Sequence, residues 1–141
     1  MIVQEIMNKN VVTIDKKSTV KEAVSILNKN RISCLIVVDN GKMKGIITER
    51  DVLVAIDEDK NLNKVAVGSI MTKDVYFVGP NTDITDAAEL MVKNKIKKLP
   101  VIYNGMLVGI VTATDLVAAE PKLMEQISNI MLLGKKQSMA G

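Results

Sequence analysis

The second half of the chain repeats the first half at a constant offset of 64 residues. Residues 6–56 align without a gap with residues 70–120, and 17 of the 51 aligned positions are identical. The identical positions include an Asn-Gly pair, a later glycine and a Thr-x-x-Asp group in each copy. An internal repeat of this kind indicates one supersecondary unit that is present twice. The 141 residues are therefore expected to fold as two copies of one small unit.

Each copy begins with a predicted strand and a predicted helix. Short apolar runs at residues 11–14 and 75–78 are typical of strands. The helices that follow carry apolar residues at i, i+3, i+4 and i+7, which is the spacing of one helix face. These residues are Val20, Ala23, Val24 and Leu27 in the first copy and Ile84, Ala87, Ala88 and Met91 in the second. We expect Ser18 and Thr82 as the N-caps, and Asn30 and Asn94 as the left-handed helix ends.

Each copy continues with a predicted β-hairpin and a short helix. The apolar runs 35–39 and 99–103 predict buried strands, and residues 43–48 and 107–112 predict the return strands. Asn-Gly pairs between them favour two-residue turns, because both residues tolerate positive φ. Short helices are expected at residues 51–56 and 115–120, and a last helix at 122–133 that Gly134 ends. We predict three segments: repeat 1 at 1–62, repeat 2 at 63–121, and a C-terminal helix with a flexible tail at 122–141.

Composition argues against several classes of function. The chain has no histidine and a single cysteine, Cys34, so no metal site and no catalytic residues are expected, and the protein is not expected to be an enzyme. The net charge of +3 is spread along the chain and includes only two arginines, so nucleic-acid binding is possible but not favoured. No membrane span and no signal peptide are visible, and a cytoplasmic location is expected.

Residues 45–51 (GIITERD, the first motif) and residues 109–115 (GIVTATD, the second motif) occupy matching places in the two copies. In each motif the threonine hydroxyl can donate or accept a hydrogen bond. The aspartate offers two acceptor oxygens that could bridge the two hydroxyls of a ribose. The glycine allows close approach of another backbone. The alternative reading is that Thr48, Asp51, Thr112 and Asp115 serve only as helix caps, and the two roles are compatible.

The two motifs within two βαββα copies resemble the cystathionine-β-synthase (CBS) domain, over residues 6–120. The resemblance implies an α+β fold in which two CBS repeats pack about a pseudo-two-fold axis. It also implies two clefts for an adenosine-containing ligand such as AMP, ADP, ATP or S-adenosylmethionine, with no obligatory cofactor. Pairs of such repeats often associate as a homodimer.

The resemblance implies clefts that are built crosswise from the two repeats. Cleft A is expected to use Thr48, Arg50, Asp51, Val75, Tyr76, Lys97, Lys98, Leu99 and Pro100. Cleft B is expected to use Val11, Val12, Ser33, Cys34, Leu35, Ile36, Thr112, Thr114 and Asp115. With this grouping, three cations fall in cleft A and none at the matching positions of cleft B. Cleft A is therefore expected to prefer a phosphorylated nucleotide.

The function expected from the sequence is that of a regulatory module that senses energy state or a metabolite. Such a module would bind an adenine nucleotide and act through an oligomer or an unidentified protein target. Two alternatives stay open. One is a nucleic-acid-associated CBS protein, and the other is a structural dimerisation module whose clefts are empty.

Overall fold

The computed structural model describes residues 1–131 and divides into two compact units. The central unit consists of Val12–Val75, and the terminal unit combines Met1–Val11 with the chain from Tyr76 onward. The compact units therefore differ from the sequence repeats. The segment that precedes each repeat's first strand packs within the unit formed by the other repeat. The boundaries expected near residues 62 and 121 stay a prediction for the sequence repeats.

The central unit contains three strands and two helices. In chain order they are β1 (Thr13–Asp15), α1 (Val20–Asn30), β2 (Cys34–Asp39), β3 (Lys42–Thr48) and α2 (Glu49–Asp57). Strand β1 pairs with β2 in parallel, and β2 pairs with β3 in antiparallel orientation. A 3-10 turn at Val67–Ser69 follows, and Thr72 then forms a single antiparallel bridge with Ile46 on β3.

The described part of the terminal unit repeats this arrangement, but a single bridge between Val78 and Val101 replaces the first strand. Its elements are a 3-10 turn at Val3–Glu5, α3 (Ile84–Asn94), β4 (Lys98–Tyr103), β5 (Met106–Thr112) and α4 (Ala113–Ala119). Strand β4 pairs with β5 in antiparallel orientation. Asn8 bridges Ile110 on β5, as Thr72 bridges Ile46 in the central unit. The mixed α+β fold expected from the two copies is thus present.

The apolar helix faces are covered inside their own units. Val20, Ala23 and Leu27 of α1 are buried beneath the strands of the central unit. The whole stripe of α3 is buried in the terminal unit. Burial of this kind is the main stabilising term of such small cores. The stripe of α3 therefore needs no second chain to cover it, whereas Val24 of α1 stays partly exposed.

The hairpin turns confirm the Asn-Gly prediction. Asn40 and Gly41 have φ values of 51° and 80°, and Asn104 and Gly105 have values of 51° and 79°. Asp39 pairs directly with Lys42, so each turn has two residues. Positive φ at both positions is the requirement of a type I′ turn, which matches the twist of the strands.

Three expectations at element ends were wrong. The N-caps are Thr19 and Asp83, one residue later than expected, because their side chains reach amides in the first helical turns. The helices end at Asn30 and Asn94 as expected, but the left-handed conformation is adopted by the next residues, Arg31 and Lys95. Residues 75–78 form no strand, since only Val78 bridges β4.

The last helix begins later than residue 122. Pro121–Leu123 is a 3-10 turn, and residues 124–131 are helical. Leu123, Ile127 and Ile130 are buried in the core of the terminal unit, so this stripe packs within the chain. The expected stop at Gly134 and the expected tail lie outside the described residues. No helix within residues 1–131 is long and apolar enough to cross a membrane.

Candidate ligand site

The threonine and the aspartate of each motif form a reciprocal helix cap. The Asp51 amide donates to Thr48 Oγ1 at 3.2 Å, and the Thr48 amide donates to Asp51 Oδ2 at 2.9 Å. Thr112 and Asp115 form the same pair at 3.1 and 2.9 Å. Each box satisfies one otherwise unpaired amide at the start of a helix. The capping role is therefore present in both motifs, and it fixes the orientation of both carboxylates.

The two aspartates differ in their remaining contacts. The Thr72 hydroxyl lies 3.3 Å from both carboxylate oxygens of Asp51 and donates to them. The equivalent position in the other copy is Asn8, whose side-chain oxygen accepts from the Asn10 amide instead. Within residues 1–131, Asp115 Oδ1 has no hydrogen-bond partner, so Asp115 keeps more acceptor capacity than Asp51.

The residues before β4 lie beside the second motif. The Ala113 amide donates to the Lys97 carbonyl oxygen at 2.7 Å, and Lys98 is the direct β-partner of Thr112. The Lys97 side chain is exposed, and the Lys98 side chain is partly buried. The terminal unit therefore places the backbone of both lysines next to the threonine of its own motif.

The residues before β2 lie beside the first motif in the same way. The Glu49 amide donates to the Ser33 carbonyl oxygen at 3.1 Å, and Cys34 is the β-partner of Thr48. Arg50 is exposed in the first turn of α2. Inside the units, Lys97 and Lys98 are thus neighbours of Thr112, and Ser33 and Cys34 are neighbours of Thr48. These contacts were not part of the crosswise grouping, which itself stays a prediction.

The other predicted site residues fall into a buried and an accessible group. Leu35 and Leu99 are 1% and 0% exposed and lie in the two cores, so only their backbone atoms remain for a ligand. Ile36 and Pro100 are also buried. Val12, Tyr76 and Thr114 are exposed, and Val11 and Val75 are partly exposed.

The motif glycines are required by a crossing backbone segment. A Cβ on Gly45 would lie 2.5 Å from the Thr72 carbonyl oxygen and 2.9 Å from Met71 Sδ. A Cβ on Gly109 would lie 2.6 Å from Met7 Sδ and 3.1 Å from the Asn8 carbonyl oxygen. The close approach of another backbone that the sequence predicts at these glycines is present. The close approach that they permit is made within the chain, by the segment that bridges β3 or β5.

Sequence reasoning missed Thr72 as a neighbour of Asp51. Thr72 is 21 residues from Asp51, and the contact depends on the bridge between residues 72 and 46. The available signal was the Ile-Met pair that precedes position 72 and recurs before position 8. That signal marks the start of each copy but does not indicate a hydrogen bond.

The family model of the CBS domain matches the chain twice, at residues 3–58 and 67–122. The chain belongs to the CBS-domain family. Among curated CBS relatives, YhcV of Bacillus subtilis is 30% identical over 114 residues, which cover 81% of each protein. The uncharacterized protein MJ1225 of Methanocaldococcus jannaschii is 38% identical over 116 residues. That match covers 82% of this chain but only 41% of MJ1225, so the chain spans less than half of that relative.

Solved CBS structures with bound ligands have the same fold. CBSX2 in complex with AMP has a TM-score of 0.75 at 27% identity, covering 86% of this chain and 97% of that chain. The CBS domain pair of MJ0100 is in complex with 5′-methylthioadenosine and S-adenosyl-L-methionine. It has a TM-score of 0.71 at 31% identity and covers 84% of this chain and 94% of that chain.

Proposed function

We propose that this CBS protein is a regulatory module that binds an adenosine-containing ligand such as AMP, ADP, ATP or S-adenosylmethionine. The observation that carries the proposal is the pair of Thr-x-x-Asp boxes, which hold a hydroxyl and a carboxylate in fixed orientation. It is supported by the adenosine compounds bound in two similar CBS structures. In this proposal, each carboxylate accepts from ribose hydroxyls and each threonine contacts the ligand near the phosphate or its substitute.

The crosswise grouping gives the preference for phosphate to cleft A, which contains the first motif, and we propose as the competing assignment that the second motif has this preference. Lys97 and Lys98 are neighbours of Thr112, and the free Oδ1 of Asp115 can accept from a ribose. Thr114 adds a second hydroxyl in the same motif. An ammonium group that donates to phosphate makes a charge-assisted hydrogen bond, which is stronger than a neutral one. AMP is therefore expected to bind through Lys98, Thr112 and Asp115.

The first motif is the weaker phosphate site in this proposal. Arg50 is its only cation, while Ser33 and Cys34 stand at the positions of the two lysines. Asp51 already accepts from Thr72 with both oxygens. A ribose at Asp51 would have to compete with that hydroxyl. This motif is expected to take a less charged adenosine compound.

The experiment that tests the function is a thermal-shift screen of AMP, ADP, ATP, S-adenosylmethionine and adenosine. A ligand that binds only the native state raises stability by RT ln(1 + [L]/Kd). At about 100 times Kd the gain is about 2.7 kcal/mol, which is easily measured as a higher Tm. Absence of any shift at millimolar ligand would leave the structural dimerisation reading and the nucleic-acid reading.

We also propose a homodimer, in which α2 contacts a second copy of the chain. Leu53, Val54 and Ile56 of α2 are 54%, 45% and 51% exposed. Beside them, α1 and α2 form a mostly apolar groove of about 330 Å³. It is lined by Val24, Leu27, Asn28, Glu49, Val52 and Leu53. An exposed apolar patch of this kind is typical of an interaction surface.

The remaining parts of the functional prediction concern the cellular role. A regulatory output through an unidentified protein target, a cytoplasmic location and the absence of catalysis all stay predictions. Nucleic-acid association remains the competing reading. It would require retention on DNA or RNA that falls steeply with salt, because phosphate contacts release counterions.

A further inference from the structure

Four lysines surround one groove of the central unit. The groove has a volume of about 520 Å³ and is lined by Lys16, Lys17, Lys44, Ala66, Gly68, Ser69, Met71 and Lys73. Lys16 and Lys17 follow β1, Lys44 lies on β3, and Lys73 follows the segment that bridges β3. No carboxylate lines this lysine groove. Three separate chain segments therefore bring positive charge to one concave surface.

The same groove in the terminal unit is almost without charge. It has a volume of about 300 Å³ and is lined by Gln4, Met7, Pro80, Asn81, Tyr103 and Val108. At the offset of 64 residues, Pro80, Asn81 and Val108 stand where the central unit has Lys16, Lys17 and Lys44. The fold thus requires a groove at this place but does not require lysine there. Lys16, Lys17 and Lys44 are therefore specific to the central unit, whereas Lys73 has a lysine counterpart, Lys9, in the other copy.

One carboxylate, Asp39, is close enough to Lys16, Lys17 and Lys44 to offset part of this positive charge. Lys16 Nζ contacts Asp39 Oδ2 at 3.0 Å. Within residues 1–131, Lys17, Lys44 and Lys73 form no ion pair. The hydrogen bond from Lys16 holds the pKa of Asp39 below its usual value, and the nearby charges of Lys17 and Lys44 act in the same direction. Like charges held together without partners repel one another, so an anion that joins them would be stabilised.

The chemistry of the lining indicates phosphate and not a nucleobase. Lysine provides a compact charge with three donors, which suits a phosphate oxygen from several directions. The groove has neither an arginine for bidentate reading of a base nor an aromatic ring for stacking. Its volume falls in the range of about 300–1,000 Å³ that is usual for small-molecule sites. The three lysines outside the Lys16–Asp39 pair carry more charge than one phosphate group neutralises at about −1.5 to −2, whereas a short chain of phosphates can match it.

We infer that the lysine groove binds a short run of linked phosphate groups, free or as the tail of a nucleotide. The site is separate from the Thr-x-x-Asp boxes. Lys44 is four residues before Thr48 on β3, which corresponds to about 13 Å of extended strand. None of the groove lysines belongs to either motif, so the inference does not rest on the proposed adenosine site. Ligand binding at the motifs and at the groove can therefore be measured separately.

The test is calorimetric titration of sodium tripolyphosphate into the whole chain at about 50 mM salt, where surface charges are weakly screened. The groove variant is Lys17→Gln/Lys44→Gln. The matched control is Lys29→Gln/Lys93→Gln, which removes the same charge from exposed helix positions outside the groove. We expect the groove variant to lose about tenfold or more in affinity, and the control variant less than about twofold.

Several results would overturn the inference. They are no binding by the wild type, an equal loss in both variants, or equal affinity for monophosphate and tripolyphosphate. Binding of single-stranded oligonucleotide through Lys17 and Lys44, without binding of tripolyphosphate, would assign the groove to nucleic acid instead. A free tripolyphosphate and the tail of ATP are distinguished by titrating both into Asp115→Ala. If Asp115→Ala retains tripolyphosphate binding and loses AMP binding, the groove is supported. A Tm shift with AMP in the groove variant would show that AMP binds at a different site, and this separates the two proposals.

Discussion

The hydroxyl of Thr72 donates to both carboxylate oxygens of Asp51 across 21 residues of sequence, and Asp115 has no such partner within the described chain. The two aspartates occupy the same position of the same motif. They differ because the segment that crosses the neighbouring glycine carries a threonine in one unit and an asparagine in the other. The two motifs share one pattern, but Asp51 already accepts from Thr72, whereas Asp115 keeps an available acceptor oxygen.

This difference predicts unequal effects of the two alanine variants on ligand binding. We expect Asp115→Ala to weaken AMP about tenfold, because a charge-assisted hydrogen bond contributes about 1.5–3 kcal/mol. Asp51→Ala should change AMP affinity less than about threefold. Both variants lose the same kind of capping box, so each is the other's control for stability. Calorimetric titration decides between them, and a larger loss in Asp51→Ala would restore the assignment of phosphate to the first motif.

The position of Lys98 predicts a variant that separates phosphate from adenosine binding. Lys98→Ala should weaken AMP about tenfold and leave adenosine unchanged, since the ammonium group can contact only the phosphate. Arg50→Ala is the comparison at the first motif and should have a smaller effect on AMP. Parallel titrations of AMP and adenosine measure this. Equal losses for the two ligands in Lys98→Ala would mean that the lysine only supports the local structure.

The two motif glycines should differ in their tolerance of alanine. We expect Gly109→Ala to cost about 1–3 kcal/mol of unfolding free energy, because the flexible Met7 side chain can move away. Gly45→Ala should cost more, since its Cβ would meet the Thr72 carbonyl oxygen at 2.5 Å. Gly79→Ala, where the nearest atom is 3.8 Å away, should stay within about 0.5 kcal/mol of wild type. Urea unfolding gives all three values, and the reverse order would contradict the close approach.

The ion pair of Lys16 and Asp39 predicts a dependence of stability on acid. The hydrogen bond from Lys16 lowers the pKa of Asp39 from its ordinary 3.8. A lowered pKa in the folded state contributes stability above the ordinary value, and that contribution is lost as the pH falls through the lowered value. The Tm difference between wild type and Lys16→Gln should therefore be present at pH 7 and shrink below about pH 4. A difference that stays constant down to pH 2 would show that the pair adds nothing.

The exposed face of α2 predicts a dimer that one charge can dissociate. Leu53→Glu would place a carboxylate in the apolar interface, where an unpaired charge is costly. We expect the wild type to sediment as a dimer of the 15.4 kDa chain at micromolar concentration, and the variant as a monomer. Val117→Glu changes the equivalent position of the other copy and serves as the comparison. A monomeric wild type would reject the homodimer.

The sequence was sufficient to predict the repeated helices and turns, but not the contacts between residues that are distant in the chain. The apolar spacing of α1 and α3 and the Asn-Gly pairs predict local structure, because each depends on residues close together in the chain. The N-caps were misplaced by one residue, since in each copy two adjacent residues have side chains that can cap a helix and only the contacts of Thr19 and Asp83 decide between them. The pairing of Lys98 with Thr112 depends on the register between β4 and β5, which cannot be read from the sequence.

The leading segments of the two repeats pack in each other's units, and this makes the chain difficult to separate into halves. A cut in the connection between α2 and Val67 would yield two pieces, neither of which holds a complete core. The first piece would keep Met1–Val11 without the terminal-unit residues that they pack against. The second piece would keep residues 67–75 without the central-unit residues that they pack against. Each piece could complete itself only by remaining with the other or by trading segments with a second copy. The two repeats therefore exchange their leading segments, although the sequence reads as two consecutive copies.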